Sequence, residues 1–195
     1  MDMGGMMGGG VVADGSPFPV RALGIRGSSR GGQTQPPQRL AGLAPAQPRI
    51  AVNAERPKVF ELTMGMMTWG INGAPFDMME ASPEETVKLG THEVWEFRNE
   101  GRGAMMGMVM AHSMHIHGLQ FRVIGREVSS RFTAAYATVK AGLVDDGWKD
   151  TVLVMPGERV HVLVGFEDYT GLFLYHCHML EHEDSGLMRN YLVKT

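Results

Sequence analysis

Short apolar runs separated by turn residues follow one another along the chain from about residue 50 onward. The runs are VFELTM, HEVWEFRN, LQFRVIGRE, TVLVMP, RVHVLVGF and LFLYH. Between them lie the Asn, Gly and Pro combinations NGAP, NEGRG, DDG, PGE and DYTG. Short runs rich in Val and Phe and bounded by such residues are typical of β-strands, and no long segment has a convincing helical period. The pattern therefore predicts an all-β sandwich or Greek-key barrel over residues 51–195.

Residues 1–50 have a different pattern. The opening stretch MDMGGMMGGG cannot bury enough apolar surface to fold, and it has neither the basic start nor the apolar core of a secretory signal. A strand-like run at 20–25 is followed over 27–49 by Gly, Ser, Gln and Pro residues typical of an irregular linker. We expect a disordered N-terminal arm in front of one folded domain.

Composition and charge exclude several classes of protein. The chain has 195 residues, 44% of them hydrophobic, and a net charge of -3 without a basic run, which argues against a broad nucleic-acid interface. No apolar run approaches the ~20 residues of a membrane span. A single Cys rules out an intrachain disulfide framework.

That Cys lies among histidines. Six of the eight His residues and the Cys fall in two segments, AHSMHIHGLQF at 111–121 and YHCHMLEHEDSGLM at 175–188. Side chains alternate between the two faces of a strand, so Cys177 and its neighbours His176 and His178 point in opposite directions. By the same rule His115 shares a face with the His two residues later, and His112 takes the other face.

The alternation sorts these residues into two ligand sets that lie back to back. The thiolate set consists of His112, Cys177 and His182, and the imidazole set consists of His115, His117, His176 and His178. Two His and one Cys in a trigonal arrangement form a blue-copper electron-transfer site. Four imidazoles suit copper, zinc, iron or nickel, so that set alone leaves the metal open. A structural zinc site typically needs several Cys or a closed set of four ligands.

The segments HSMHIHG and HCHMLEHEDSGLM resemble the two copper signatures in the last domain of multicopper oxidases, the laccase and bilirubin oxidase group. The resemblance extends to INGAPFDM and GWKDTV and covers most of residues 58–193; it is strongest to bacterial cuprous oxidases and spore-coat laccases. It implies a cupredoxin-like Greek-key β-sandwich over 51–195, preceded by a tail, a remnant strand of an earlier domain and a linker over 1–50.

The resemblance also implies an activity and a role for each ligand. The activity is oxidation of phenols, bilirubin-like pigments or Cu(I), coupled to reduction of dioxygen to water, in a periplasmic or extracellular parent protein. The electron would enter through His112 or His182 at the surface. The implied ligands are His112, Cys177 and His182 for type 1 copper, His115 for type 2 copper, and His117, His176 and His178 for the type 3 pair. Glu183 would donate protons to reduced oxygen.

The chain departs from the family in its histidine count. In the family, half of the histidines of the three-copper cluster come from a first domain, whereas no His occurs here before residue 92. We therefore expect a C-terminal piece of a larger oxidase that lacks the N-terminal cupredoxin domains, with its imidazole face partly exposed. The alternatives are a non-enzymatic copper-binding or electron-transfer module that uses only the type 1 site, and a non-functional remnant.

Several residues have competing interpretations. At the axial copper position Leu187 replaces the Met of bacterial relatives, and Met188 follows it; a non-coordinating Leu there would raise the redox potential. Asp150 either orients a ligand His or is a surface acid. The methionines at 105–110 either bind Cu(I) or fill the core. We expect ordinary roles for the remaining candidates, which are His92, His161, Trp69 and Trp148.

Overall fold

The computed structural model describes residues 42–65, 69–100 and 109–195. Residues 1–41 of the predicted N-terminal arm, which include the strand-like run at 20–25, and most of the Met clusters lie outside these residues. The strands are β1 (Lys58–Met64), β2 (Trp69–Ile71), β3 (Thr86–Lys88), β4 (Thr91–Asn99), β5 (His112–Ile116), β6 (Phe121–Val128), β7 (Thr151–Val154), β8 (Glu158–Phe166), β9 (Gly171–Cys177) and β10 (Met188–Lys194). The helices are α1 (Thr133–Val139) and α2 (Leu180–Asp184). Among the described residues no helix is both long and apolar enough to cross a membrane.

The strands form two five-stranded sheets, with the orders β2-β1-β4-β8-β6 and β3-β10-β9-β5-β7. Most neighbours are antiparallel, but β1 with β4 and β3 with β10 are parallel pairs. Successive strands repeatedly change sheet, as β5, β6, β7 and β8 do. The all-β sandwich predicted from the sequence is confirmed.

The core lies between the sheets and follows the alternation of side chains along the strands. In β5, His112, Met114 and Ile116 are buried, whereas the residues between them are partly exposed. The largest fully buried aromatic side chains are Trp95, Tyr175, Tyr191, Phe60, Phe97 and Phe121. One face of β5 and β9 therefore belongs to the core, and the other face is free to carry functional side chains.

The segment before β1 packs on the outer face of the first sheet. Ala51 forms a small apolar cluster with Val94 and Leu163 of β4 and β8. The Asn53 amide donates to the Val94 carbonyl at 3.0 Å and accepts from the Val94 N–H at 2.7 Å. Ala46, in the predicted linker, packs against the same cluster, so the C-terminal end of that linker is part of the folded unit.

Two ion pairs with buried carboxylates stabilise the packing of the sandwich. Arg126 of β6 donates to Glu158 of β8 at 2.9 Å and to Asp145, and its guanidinium also donates to the Leu153 carbonyl on β7 at 2.9 Å. Glu158 is fully buried. The second pair joins Glu85 to Arg189 of β10 at 2.7 Å and 2.8 Å.

Candidate metal centre

Strands β5 and β9 bring the two histidine segments together. They are antiparallel neighbours in which Met114 pairs with Cys177 and His115 pairs with His176. Directly opposed residues point to the same face of a sheet. Cys177 therefore faces the core and His176 faces outward, as the sequence alternation predicted.

The thiolate set is compact and buried. Cys177 and His112 are 0% exposed and His182, on α2, is 1% exposed. The Nδ1 atoms of the two imidazoles lie 3.1 Å apart, and the His182 Nδ1 atom lies 3.4 Å from the Cys177 Sγ atom. One donor atom from each residue lies within 4.8 Å of the other two, so the three donors converge on a common point.

Burial keeps these groups uncharged. It lowers the pKa of His112 to about 3, with a further contribution from the neighbouring His182. Burial also lowers the pKa of His182 and raises that of the Cys177 thiol. At neutral pH both imidazoles therefore keep a free lone pair, and a metal ion would displace the thiol proton on binding.

The imidazole set gathers on the opposite face. His115, His117 and His176 each place a ring nitrogen within 4.8 Å of the others, and the His117 and His176 Nε2 atoms are 3.0 Å apart. The ring of His178 lies 5.4 Å from that of His115 and 5.3 Å from that of His176, measured between centroids. All four predicted members thus lie together.

Hydrogen bonds orient two of these rings. The His115 Nδ1 atom lies 2.9 Å from the Asp150 carbonyl oxygen and 3.0 Å from Thr151 Oγ1, and the His176 Nδ1 atom lies 3.2 Å from the Cys177 carbonyl oxygen. A carbonyl only accepts, so both Nδ1 atoms carry the proton and both Nε2 atoms carry the lone pair. The Asp150 contact is through its backbone, not the carboxylate considered above, and Thr151 was missed because no motif singles out a hydroxyl on β7.

The exposure of the two sets differs from expectation in two respects. His117 and His178 are exposed and His115 is half-buried, as expected for an open face, but His176 is only 3% exposed. The expectation that His112 or His182 lies at the surface is wrong for the described residues, because both rings are buried. Entry of the electron through one of them stays a prediction. The Trp69 ring lies against His182 with 4.5 Å between centroids, and Trp69 packs on the core.

The residues after Cys177 include Glu183 and the two candidates for the additional copper ligand, Leu187 and Met188. The Glu183 Oε2 atom lies 3.5 Å from the His176 Nδ1 atom, so its carboxylate faces the imidazole set. Leu187 is fully buried, and its carbonyl accepts from the Cys177 N–H at 3.0 Å. Met188 pairs with His176. Leu187 thus belongs to the core side with Cys177, and Met188 to the other face.

Laccases are similar in sequence to this chain over part of their length. The sequence model of a family described as multicopper oxidase matches residues 51–195. A laccase from Haloferax volcanii is 41% identical over 135 residues, which cover 69% of this chain and 21% of the relative. A laccase from Bacillus subtilis is 34% identical over 113 residues, covering 54% of this chain and 21% of the relative. The chain thus spans about a fifth of the length of these laccases.

Solved structures of oxidases share the fold. The McoA multicopper oxidase from Aquifex aeolicus superposes with a TM-score of 0.59 at 31% identity, covering 82% of this chain and 33% of the oxidase. A laccase from Pediococcus acidilactici gives a TM-score of 0.59 at 30% identity, covering 79% of this chain and 30% of the laccase. With the family's sequence model matched over 51–195, the chain belongs to the multicopper oxidase family.

Proposed function

We propose that this chain is the copper-binding C-terminal domain of an oxidase that couples one-electron oxidation of phenols or Cu(I) to reduction of dioxygen to water. The observation that supports this proposal most strongly is the back-to-back placement of the thiolate set and the imidazole set on β5 and β9. In this proposal the domain works with dioxygen, a small reducing substrate and N-terminal cupredoxin domains. The proposed parent protein is periplasmic or extracellular.

The donor atoms fit copper in both sets. Two neutral imidazoles and one Cys sulfur converge in the thiolate set, which is the donor combination of blue-copper sites. In the imidazole set, the hydrogen bonds at Nδ1 of His115 and His176 leave Nε2 free to bind a metal. Copper, when bound, supplies the one-electron oxidation of the reductant and the reduction of dioxygen.

The chain itself connects the two sets. Cys177 is the covalent neighbour of His176 and His178, so only one peptide separates a ligand of one set from a ligand of the other. Glu183, with its carboxylate facing His176, is placed to hold a proton beside the imidazole set. We assign His115 to the type 2 copper, and His117, His176 and His178 to the type 3 pair.

Copper loading of the chain tests the thiolate set. We expect an intense blue absorption, because a thiolate bound to Cu(II) gives a strong charge-transfer band, and we expect Cys177→Ser to abolish it while the circular dichroism of the sheets persists. The matched control is His161→Gln, since His161 lies outside both sets and pairs with Glu96 at 3.1 Å. A blue band that survives Cys177→Ser, or disappears with His161→Gln, would refute the assignment.

The isolated chain is expected to bind copper without sustained turnover. It supplies four clustered imidazoles, which we assign as half of the three-copper cluster. Each missing imidazole leaves a position open to water, so copper on this face is held weakly. Oxygen uptake by the purified, copper-loaded chain with a phenolic substrate is therefore expected at the rate of free copper. Sustained uptake well above that rate would show that the chain completes its site in another way and would exclude the electron-transfer module.

Leu187 is fully buried on the core side with Cys177, beside the residues that would hold copper in the thiolate set. Because an aliphatic side chain donates no electron pair to copper, we expect Leu187→Met to lower the redox potential of the blue site. Met188→Leu is the matched control and is expected to leave the potential unchanged, since Met188 shares the face of His176. Redox titration of the blue band measures both, and equal shifts in the two variants would contradict the placement.

A further inference from the structure

Three redox-active aromatic side chains lie directly behind the paired imidazoles of His117 and His176. Trp95 is fully buried in the core, and its ring centroid lies 5.7 Å from that of Tyr175 and 5.6 Å from that of Tyr191. Centroid separations of this size bring rings into van der Waals contact. The three side chains therefore form one continuous cluster, with Trp95 in the middle.

Each tyrosine of the cluster is attached to one of the two imidazole residues. Tyr175 is the chain neighbour of His176, and the Tyr191 hydroxyl donates to the His117 carbonyl at 2.6 Å. The Nε2 atoms of these two histidines are 3.0 Å apart. The aromatic cluster is thus linked to the imidazole set twice. One link is the peptide bond between Tyr175 and His176, and the other is the hydrogen bond from Tyr191 to the His117 backbone.

The polar hydrogens of the cluster point at buried carboxylates. The Tyr175 hydroxyl donates to Glu85 Oε1 at 2.7 Å, and the Trp95 indole N–H donates to Glu93 Oε2 at 2.9 Å. Glu85 and Glu93 are 4% and 5% exposed, and each is held by a cation, Arg189 and Lys58. Burying two carboxylates is costly, and a peptide carbonyl would satisfy either donor. A carboxylate adds the capacity to take up a proton.

We propose that Tyr175, Trp95 and Tyr191 form a redox relay that supplies an electron to a strong one-electron oxidant at the His117–His176 pair. The inference rests on the proposed function only for the natural source of that oxidant, which is the reduction of dioxygen on this face. Its use is protection, since an oxidant left without its normal electron supply is quenched by the relay before it oxidises its histidine ligands.

The steps balance in electrons and protons. Tyr175 loses one electron to the oxidant and its hydroxyl proton to Glu85, leaving a neutral tyrosyl radical and a carboxylic acid. Trp95 then reduces that radical, the proton returns from Glu85 to Tyr175, and the indole proton passes to Glu93. An external one-electron donor such as ascorbate restores Trp95, which recovers its proton from Glu93. Tyr191 is itself buried, but it lines a crevice with Tyr169, which is 71% exposed, so the Tyr191 ring lies between a donor held in that crevice and Trp95.

The test uses the metal-free chain with a ruthenium polypyridyl photosensitiser on the exposed imidazole of His178. Flash oxidation of the label in the presence of an electron acceptor creates the oxidant at this face, and transient absorption follows the tyrosyl and tryptophanyl radicals. We expect tyrosyl and tryptophanyl signals in the wild-type chain, with slower formation in D2O. In Trp95→Phe the tryptophanyl signal is expected to be lost and the tyrosyl signal to persist for longer, because Tyr175 is oxidised first and Trp95 no longer reduces it. The double variant Tyr175→Phe, Tyr191→Phe keeps the rings and is expected to lose both signals.

The matched control is Tyr136→Phe. The Tyr136 hydroxyl also lies near a carboxylate, that of Glu158, but Tyr136 is on α1 and makes no ring contact with the cluster. We expect it to give the wild-type signals. The relay is overturned if the wild-type chain gives no aromatic radical, or if the double tyrosine variant keeps either signal. Because copper is absent, a failure here is separate from loss of the blue band, which tests the proposed function.

Discussion

Glu158→Ala is expected to lower the free energy of unfolding by about 3–5 kcal/mol, because it removes the buried carboxylate that pairs with the Arg126 guanidinium. Glu158 is 0% exposed, accepts from Arg126 at 2.9 Å and accepts from the Met155 N–H at 2.7 Å. Arg126 keeps Asp145 as a partner, but that carboxylate is 38% exposed and its attraction is screened by water. Urea unfolding of the metal-free chain measures the difference.

Two further variants separate the ion pair from ordinary side-chain loss. Glu127→Ala removes an exposed carboxylate from the same strand as Arg126 and is expected to change stability by no more than about 0.5 kcal/mol. Replacing Arg126 and Glu158 together by Met is expected to cost less than the sum of the single replacements, because no charge is then left buried. A Glu158→Ala chain that unfolds at the wild-type urea concentration would contradict this account.

The loss of stability in acid is expected to depend strongly on Glu85. Burial alone would raise the pKa of this carboxyl, but hydrogen bonds from Arg189, Ser82 and Tyr175 outweigh it and lower the pKa from 4.5 to about 2. A native pKa below the unfolded value means that the stabilisation is complete above pH 4.5 and is lost as the pH falls toward 2. At 1.36 kcal/mol per unit, the loss is about 3 kcal/mol.

The variant Glu85→Gln removes the titrating group and should remove its share of the acid dependence. We expect the wild-type chain to exceed the variant in unfolding free energy at neutral pH, with a gap that narrows by about 3 kcal/mol as the pH falls through this window. Glu84→Gln, at the exposed neighbouring position, is expected to lose unfolding free energy in acid as the wild-type chain does. Parallel pH curves for the wild-type chain and Glu85→Gln would disprove the assignment. Arg189 is on β10, so this ion pair also fixes the strand that follows Leu187.

The alternation of side chains accounts for what the sequence predicted about the site. In β5 and β9 the period of two residues applies without a bulge, so it separates Cys177 from His176 and places the imidazole set on one face. The ligand roles of these residues stay predictions. The apolar runs of the sequence also predicted most of the strands. The six runs coincide with β1, β4, β6, β7, β8 and β9.

What the sequence did not predict depends on contacts between distant segments. The ring of His182 packs against Trp69, which is far from it in the chain, and the ring of His112 packs against that of His182. The burial of both rings follows from such contacts. The hydrogen bond from His115 to the Asp150 carbonyl uses a backbone atom, and a residue pattern carries no information on which carbonyl is free. The packing of Ala46 on the outer face of the first sheet likewise opposes a composition typical of linkers. Tertiary contacts override local preference in each case.

The alternation along β9 also restricts how this strand changes during evolution. Inserting one residue between Tyr175 and Cys177 would exchange the faces of the side chains beyond it. Such a change would turn Cys177 outward and push an imidazole into the hydrophobic core, so it would destroy both ligand sets at once. Substitutions at Leu174 or Met179 leave the phase of the strand intact. We therefore expect lineages that keep both sites to vary this strand by substitution, with the gaps in an alignment of relatives on either side of it.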